Sequence, residues 1–172
     1  MPFTLLHALV VLPLHFKAPN KFEVFSIVIS SMFMDLEMFP FGLDGRMFGH
    51  GIFHSYLMVL TLYPLIISIT IYILFKTLRS MVTKVYVLFG FNPKSLDLKF
   101  TQIFFSCLVG GVSHIFLDMF THQGSSYLLY PFVIVNPFYI NSFVDIGVYL
   151  LTIVLSVYSL RLWNSNRHQT MI

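Results

Sequence analysis

Apolar residues run in long blocks along this chain, and the charged ones fall mostly between the blocks. Residues 52–75 contain no Lys, Arg, Asp or Glu. Residues 100–120 carry a single such group, Asp118, near their end, and residues 143–160 carry a single one, Asp145, near their start. A helix that crosses a bilayer needs about 20 apolar residues, within a range of about 17–25, and each of these blocks meets it. Two shorter blocks come first. Residues 3–16 contain Pro13 and reach only about 21 Å at about 1.5 Å per residue, which fits a short tilted span or a half-buried helix. Residues 23–39 are apolar apart from Glu23, Asp35 and Glu37. The pattern predicts five helices. Residues 127–143, with Pro131 and Pro137, cannot be helical throughout and are expected to form a cover at the membrane surface.

Composition closes off the soluble alternatives. Apolar residues make up 57% and charged ones 10%, against about 45–50% and about 25% in ordinary globular domains. Ten basic and seven acidic side chains cannot cover a water-facing surface of this size. A disordered chain, a nucleic-acid-binding module and a disulfide-stapled secreted domain are thereby excluded. The expectation is an all-α fold, a polytopic transmembrane bundle of about five membrane helices, forming one integral-membrane domain over residues 1–172. The lone cysteine, Cys107, lies in an apolar block and reads as inert packing. The amino terminus has no basic run ahead of its apolar block, so no removable signal peptide is expected.

The basic residues give an orientation. Lys17 and Lys21 follow the first block, Lys76, Arg79, Lys84, Lys94 and Lys99 follow the third, and Arg161 and Arg167 follow the last. Placing all three groups inside satisfies the positive-inside rule and agrees with strict alternation of five spans, leaving only Arg46 outside. The amino terminus is then outside and the carboxyl terminus cytoplasmic, in an inner or plasma membrane. Residues 81–91 are partly apolar and suit the inner membrane surface.

Ionisable groups inside a span cost about 2.5–3.5 kcal/mol each on insertion scales and need a partner or a metal. Here they are His7, Asp35, Glu37, His50, His54, His114, Asp118 and His122, with Asp145 nearby. The orientation was set from lysine and arginine alone, yet it puts all of these toward the outer face. Positions i and i+4 share a helix face, so His50 pairs with His54, and His114, Asp118 and His122 form one stripe. Imidazole nitrogens and carboxylate oxygens converging from several helices suit zinc, manganese or iron. Asp35 and Glu37, two apart, do not share a face, so one binds and the other supports. Gly110 and Gly111, one turn before His114, admit a close neighbouring helix. His15 and His168 read as packing or tail residues, and Met32, Met34 and Met38 as core filler.

The motifs occur in a fixed order: Met1-Pro2-Phe3-Thr4-x-x-His7, Asp35-x-Glu37, His50-Gly51-x-Phe53-His54-Ser55, and Ser113-His114-x-x-x-Asp118-x-x-x-His122. In that order they resemble a family of membrane-bound metal-dependent hydrolases of bacterial and archaeal inner membranes, of which one branch is LexA-regulated. The resemblance spans nearly the whole chain and thins in the basic loop and the tail. It implies His7, Asp35, His54, His114 and Asp118 as metal-site residues. Many members have Arg before the glycine with a histidine ahead of it; here His50 stands before Gly51 and Gly49 precedes it, so the resemblance carries His54 and not His50. The pattern also resembles the all-helical zinc-dependent phospholipase C class, which suggests phosphoester substrates.

These readings combine into a hydrolase with its metal held by His54, His114 and Asp118, completed by Asp35 and His7. Zinc is expected first, with manganese or iron as alternatives. Glu37 or His50 is the expected general base, acting on a lipid or other amphiphile admitted from the bilayer. A non-enzymatic metal-binding protein or transporter would use the same residues along a path, but the inner halves of the three long blocks hold no acid or histidine to continue one. A purely structural polar cluster is the remaining reading.

Overall fold

A computed structural model describes residues 4–37, 52–92, 99–121 and 125–170. Within them the chain is helical apart from one small hairpin. Helix α1 (Thr4–Lys17) and α2 (Val24–Phe33) are short; α2 runs on into a 3-10 turn, Met34–Glu37. A second 3-10 turn, Ile52–His54, leads into α3 (Tyr56–Leu60), α4 (Leu62–Thr77) and α5 (Arg79–Leu88). Helix α6 (Phe100–Thr121) is followed by strands β1 (Ser125–Leu129) and β2 (Val133–Val135), and α7 (Ser142–Thr170) closes the chain.

Among the described residues, two helices are long and apolar enough to cross a membrane, α6 and residues Ser142–Arg167 of α7; the bent pair α4–α5 makes a third if counted as one span. The membrane helices expected from the apolar blocks, about five, are thus not all long enough to span among the described residues. Block 52–75 is broken at Thr61, whose φ of −125° and ψ of −90° lie outside the helical region. The cause is local. Pro64 has no N–H, and its ring would crowd the carbonyl of Leu60 if the helix ran straight through; it is instead accommodated in the first turn of α4, where the N–H is not needed. The Thr61 hydroxyl donates to the Leu57 carbonyl, 2.5 Å away. Block 23–39 is α-helical to Phe33 and tightens to a 3-10 helix over Met34–Glu37; residues 38–39 lie outside the described residues. At the far end α7 continues past residue 160 through the basic tail, where the Trp163 indole N–H donates to the Phe89 carbonyl at 2.8 Å.

Between α4 and α5 the axis turns by 97°, which is how the amphipathic stretch after residue 78 leaves the direction of the bundle. Helix α5 is tied back through Tyr86, which is 1% exposed and whose hydroxyl donates to the Glu23 carboxylate. Glu23 caps α2. Its carboxylate accepts from the Phe25 N–H at 2.8 Å and the Ser26 N–H at 2.5 Å, satisfying two of the donors a helix start leaves open. The Ser26 hydroxyl donates to it as well.

Helix α6 is the centre of the bundle, packed by α2 on one side and by α3 and α4 on another. Its buried positions, Ile103, Cys107, Gly110, His114 and Asp118 among them, fall three or four apart and form one stripe. Gly110 faces α2: a Cβ there would overlap Ser30 Oγ and lie 2.5 Å from the Ile27 carbonyl oxygen. Gly111 faces Tyr63 and Val59. The close approach expected of this glycine pair is thus present on two sides, and Cys107 is buried against α2 as packing. The Tyr63 hydroxyl reaches across to donate to the Ser30 carbonyl at 2.5 Å. His15 is a packing residue, its Nδ1 2.8 Å from the Phe22 carbonyl oxygen.

The hairpin replaces any helix in the proline-containing stretch. Its strands are antiparallel, with Ser125 opposite Val135 and Leu129 opposite Val133. Leu128 is buried in the same cluster as Met34, Val59 and Ile115, whereas Phe132 at the turn is 91% exposed.

The α2–α6 contact generates a stability prediction. Gly110→Ala should destabilise the protein by about 1–3 kcal/mol, the cost of overpacking a tight interior. Gly147→Ala, where a Cβ would meet nothing within 4 Å, should be neutral or gain up to about 1 kcal/mol of helix propensity. Thermal unfolding of the two variants in detergent, followed by circular dichroism, checks the difference.

Candidate metal centre

Four elements bring ionisable side chains to one point. Asp35 comes from the 3-10 turn that ends α2, and His54 from the 3-10 turn that precedes α3. His114 and Asp118 come from successive turns of α6, and His7 comes from α1. The turn after α2 swings Asp35 toward α6, and Ser55, capping α3 through the Met58 N–H at 3.2 Å, fixes the chain beside His54. The sequence reading named all five of these residues, and the fold brings all five together.

The cluster lies in the interior. His7 and His114 have no exposed surface, and His54 and Asp118 are 2% and 3% exposed. Only Asp35, with 14% of its side chain accessible, opens toward the outside. His114 Nε2 stands 3.0 Å from Asp118 Oδ2 and 3.3 Å from Asp35 Oδ1. His54 Nε2 is 3.9 Å from that same Asp35 oxygen, and His7 Nε2 is 3.4 Å from Asp118 Oδ1. One ligand atom from each of Asp35, His54, His114 and Asp118 can be chosen so that all lie within 4.8 Å of one another.

His114 carries the chemical argument. Its Nδ1 is 2.6 Å from the Ser31 carbonyl oxygen. A carbonyl can only accept, so Nδ1 holds the proton and donates it. In the neutral ring Nε2 then presents a lone pair, and here that lone pair faces two carboxylates. It meets neither oxygen in hydrogen-bond geometry, so a proton placed there would lie along neither. A nitrogen with two carboxylate oxygens within 3.3 Å of it suits a cation. Tetrahedral zinc bonds of about 2.0–2.1 Å place neighbouring ligand atoms about 3.3–3.4 Å apart, and the 3.3 Å approach of His114 to Asp35 matches that separation. Two imidazoles and two carboxylates fit zinc, manganese or iron. The Nδ1–H to carbonyl bond that fixes the His114 ring is the support such ligands ordinarily have.

Other expected participants are not among the residues of this cluster. His50 and His122 lie outside the described residues, as do the side chains of Glu37 and His168. Asp145 opens α7 with Oδ1 buried and is not part of the four-residue set. Met34 is core filler at 1% exposure. The sequence reading did not single out Glu23, the buried acid at the other end of α2. Its signal was available as an acidic residue immediately before an apolar helical run, with a serine three positions on.

The sequence model of a family described as a domain of unknown function, DUF4184, matches residues 1–170 of the chain. No curated protein and no solved structure matches.

A cation bound by the folded cluster must stabilise the fold. Added at about 100 times its dissociation constant, zinc should raise the unfolding free energy of the chelator-stripped protein by about 2.7 kcal/mol. The check is the rise in melting temperature, which should be absent in His114→Ala.

Proposed function

The chain belongs to the DUF4184 family, and we propose that it is a membrane-embedded, metal-dependent hydrolase acting at the extracytoplasmic face on a phosphoester or other lipid-like amphiphile. The observation that carries this reading is the His114 Nε2 lone pair held between Asp35 and Asp118 in a site with almost no exposed surface. Asp35, His54, His114 and Asp118 would hold the ion, zinc in the first instance. A bound divalent ion lowers the pKa of its water toward about 7 and polarises the bond to be cleaved.

The chain's own residues supply the rest. Ser31 orients His114 through its carbonyl. Asp35, the least enclosed of the ligands, sits where a substrate would enter. Glu37, two residues beyond it in sequence, or His50 would take the proton from water. The hairpin supplies the route. Leu128 anchors it in the core beside the Asp35 turn, the Asn136 side-chain amide donates to the Met119 carbonyl at 2.9 Å, and the tip exposes Tyr130, Pro131 and Phe132. Phe143, at the start of α7, is 85% exposed. Aromatic groups at the lip of an apolar bundle suit the membrane–water boundary, so an acyl chain would pass from lipid to the site without crossing water. In this orientation the short helices α1 and α2 and the broken α3–α4 are embedded alongside α6 and α7. The amino terminus is outside and the carboxyl terminus cytoplasmic.

A transport path finds less support. Along the α2–α6 seam, Ser30, Ser31 and Ser106 donate to carbonyls of their own helices, and Gly110 brings the two backbones into contact. The seam leaves no room for a passing ion.

The test is hydrolysis of an acyl-chain-bearing chromogenic phosphodiester in mixed micelles by the full-length protein loaded with zinc or manganese. Turnover should require the metal. It should fall in His114→Ala and Asp118→Asn by more than the about 10–100-fold that loss of an outer supporting residue costs, with helical content retained. Turnover indifferent to chelation and to both substitutions would sink the hydrolase; metal flux into proteoliposomes would replace it with a transporter. Orientation is checked with an impermeant maleimide, since native Cys107 is buried. A cysteine replacing Arg161 should react in intact cells only after permeabilisation.

A further inference from the structure

His7 is not accounted for by the four-ligand set. It is fully buried, and neither ring nitrogen makes a hydrogen bond. Leaving a buried polar group without a partner costs about 1–3 kcal/mol, and an imidazole has two. Among the described residues its close polar approach is Nε2 to Asp118 Oδ1, 3.4 Å away. That is the oxygen that does not face His114, which approaches Oδ2. The two imidazoles also lie face to face, centroids 4.1 Å apart and planes 26° from parallel. Two nearly parallel rings thus present Nε2 to opposite oxygens of one carboxylate.

We infer that Asp118 bridges two divalent cations, one in the Asp35–His54–His114 set and a second between Asp118 Oδ1 and His7 Nε2. The inference rests on the metal-binding reading above and extends it. Paired catalytic ions stand about 3.5–4 Å apart, close to the separation of the stacked rings, so each ring is placed to serve its own ion. Aligned but uncharged, the rings pack without repulsion, and each lone pair has a cation to meet. Water or substrate oxygens complete the second ion. Two doubly charged ions would exceed the charge of Asp35 and Asp118 together, leaving the loaded pair positive. An anionic phosphoester answers that charge and a neutral carboxylic ester does not, which narrows the substrate class.

The experiment uses the full-length protein in detergent, stripped with chelator and titrated with manganese. Manganese per chain is measured after gel filtration, and the electron paramagnetic resonance spectrum is recorded. Two ions per chain and a spin-coupled multiline spectrum are expected of the native protein. His7→Phe keeps a ring stacked on His114 and removes both nitrogens; it should bind one ion and give the isolated six-line spectrum, its remaining affinity within about threefold of the native first site. His7→Ala should do the same, and circular dichroism confirms that the variants fold. One uncoupled ion in the native protein, or two coupled ions in both His7 variants, overturns the second site and leaves the first standing. No bound manganese, repeated with zinc by mass spectrometry, overturns the metal-binding reading itself.

Discussion

The arrangement depends on one imidazole held from both sides. His114 gives its Nδ1 proton to the Ser31 carbonyl and turns Nε2 toward Asp35 and Asp118. The first contact requires α2 to lie almost against α6, and Gly110 makes that possible because any side chain there would strike Ser30. The second contact requires α2 to end at Phe33, so that the tighter 3-10 turn redirects Asp35 inward. Helix packing and ligand geometry are therefore one constraint. A shift of α2 away from α6 would release the Ser31 carbonyl, free the ring and separate the carboxylates together.

Such a cluster is expensive unless its charges are compensated. Two carboxylates and three imidazoles sit where ordinary cores hold Leu and Ile, and a buried charge costs several kcal/mol unless something compensates it. The protein could compensate with protons, but the hydrogen-bond directions are poor for that: His7 and the Nε2 of His114 meet no acceptor along a ring N–H. At the other end of α2, Glu23 shows what compensation by hydrogen bonding looks like. Backbone N–H groups and two hydroxyls, from Ser26 and Tyr86, all point at its carboxylate. Glu23 is a structural acid that fastens α5 and α2 together. The two ends thus differ in kind: at one, an acid is held by hydrogen bonds of its own helix and of Tyr86, while the other gathers two imidazoles and two carboxylates that could hold a cation.

Much of this was legible in the sequence, and the limits have physical causes. The His114–Asp118 stripe was readable because an unbroken apolar helix fixes which residues share a face. His54 and Asp35 were readable as candidates because acids and histidines are rare in such blocks, but no periodicity could show that both sit in 3-10 turns. The break at Thr61 was signalled by Pro64, yet uniform apolarity hid it, because a lipid-facing helix and a broken one have the same composition. The helical character of the tail was invisible for the opposite reason: beyond residue 160 the chain is polar, and α7 continues there through tertiary contacts, Trp163 against Phe89 and Phe91. Glu23 was passed over because a single acid at the edge of an apolar block looks like an interfacial residue until its partners are known.

The length of α2 bears on how a substrate would arrive. From Glu23 to Asp35 is twelve helical steps, about 18 Å at about 1.5 Å per residue, whereas a bilayer's hydrocarbon core is about 30 Å thick. With Glu23 near the inner boundary, as the proposed orientation has it, Asp35 is reached before the chain has crossed. In that proposed orientation the cluster would sit below the headgroups, within the hydrocarbon region. Among the described residues the hairpin, rooted at Leu128 and exposing Phe132 at its turn, would lie over it. A water-borne substrate would have to pass that cover, while an amphiphile already in the outer leaflet could offer its polar head at the level of Asp35 and keep its chain in lipid. On the proposed orientation the short helix thus favours a membrane-resident substrate, approaching Asp35, the most accessible of the clustered side chains.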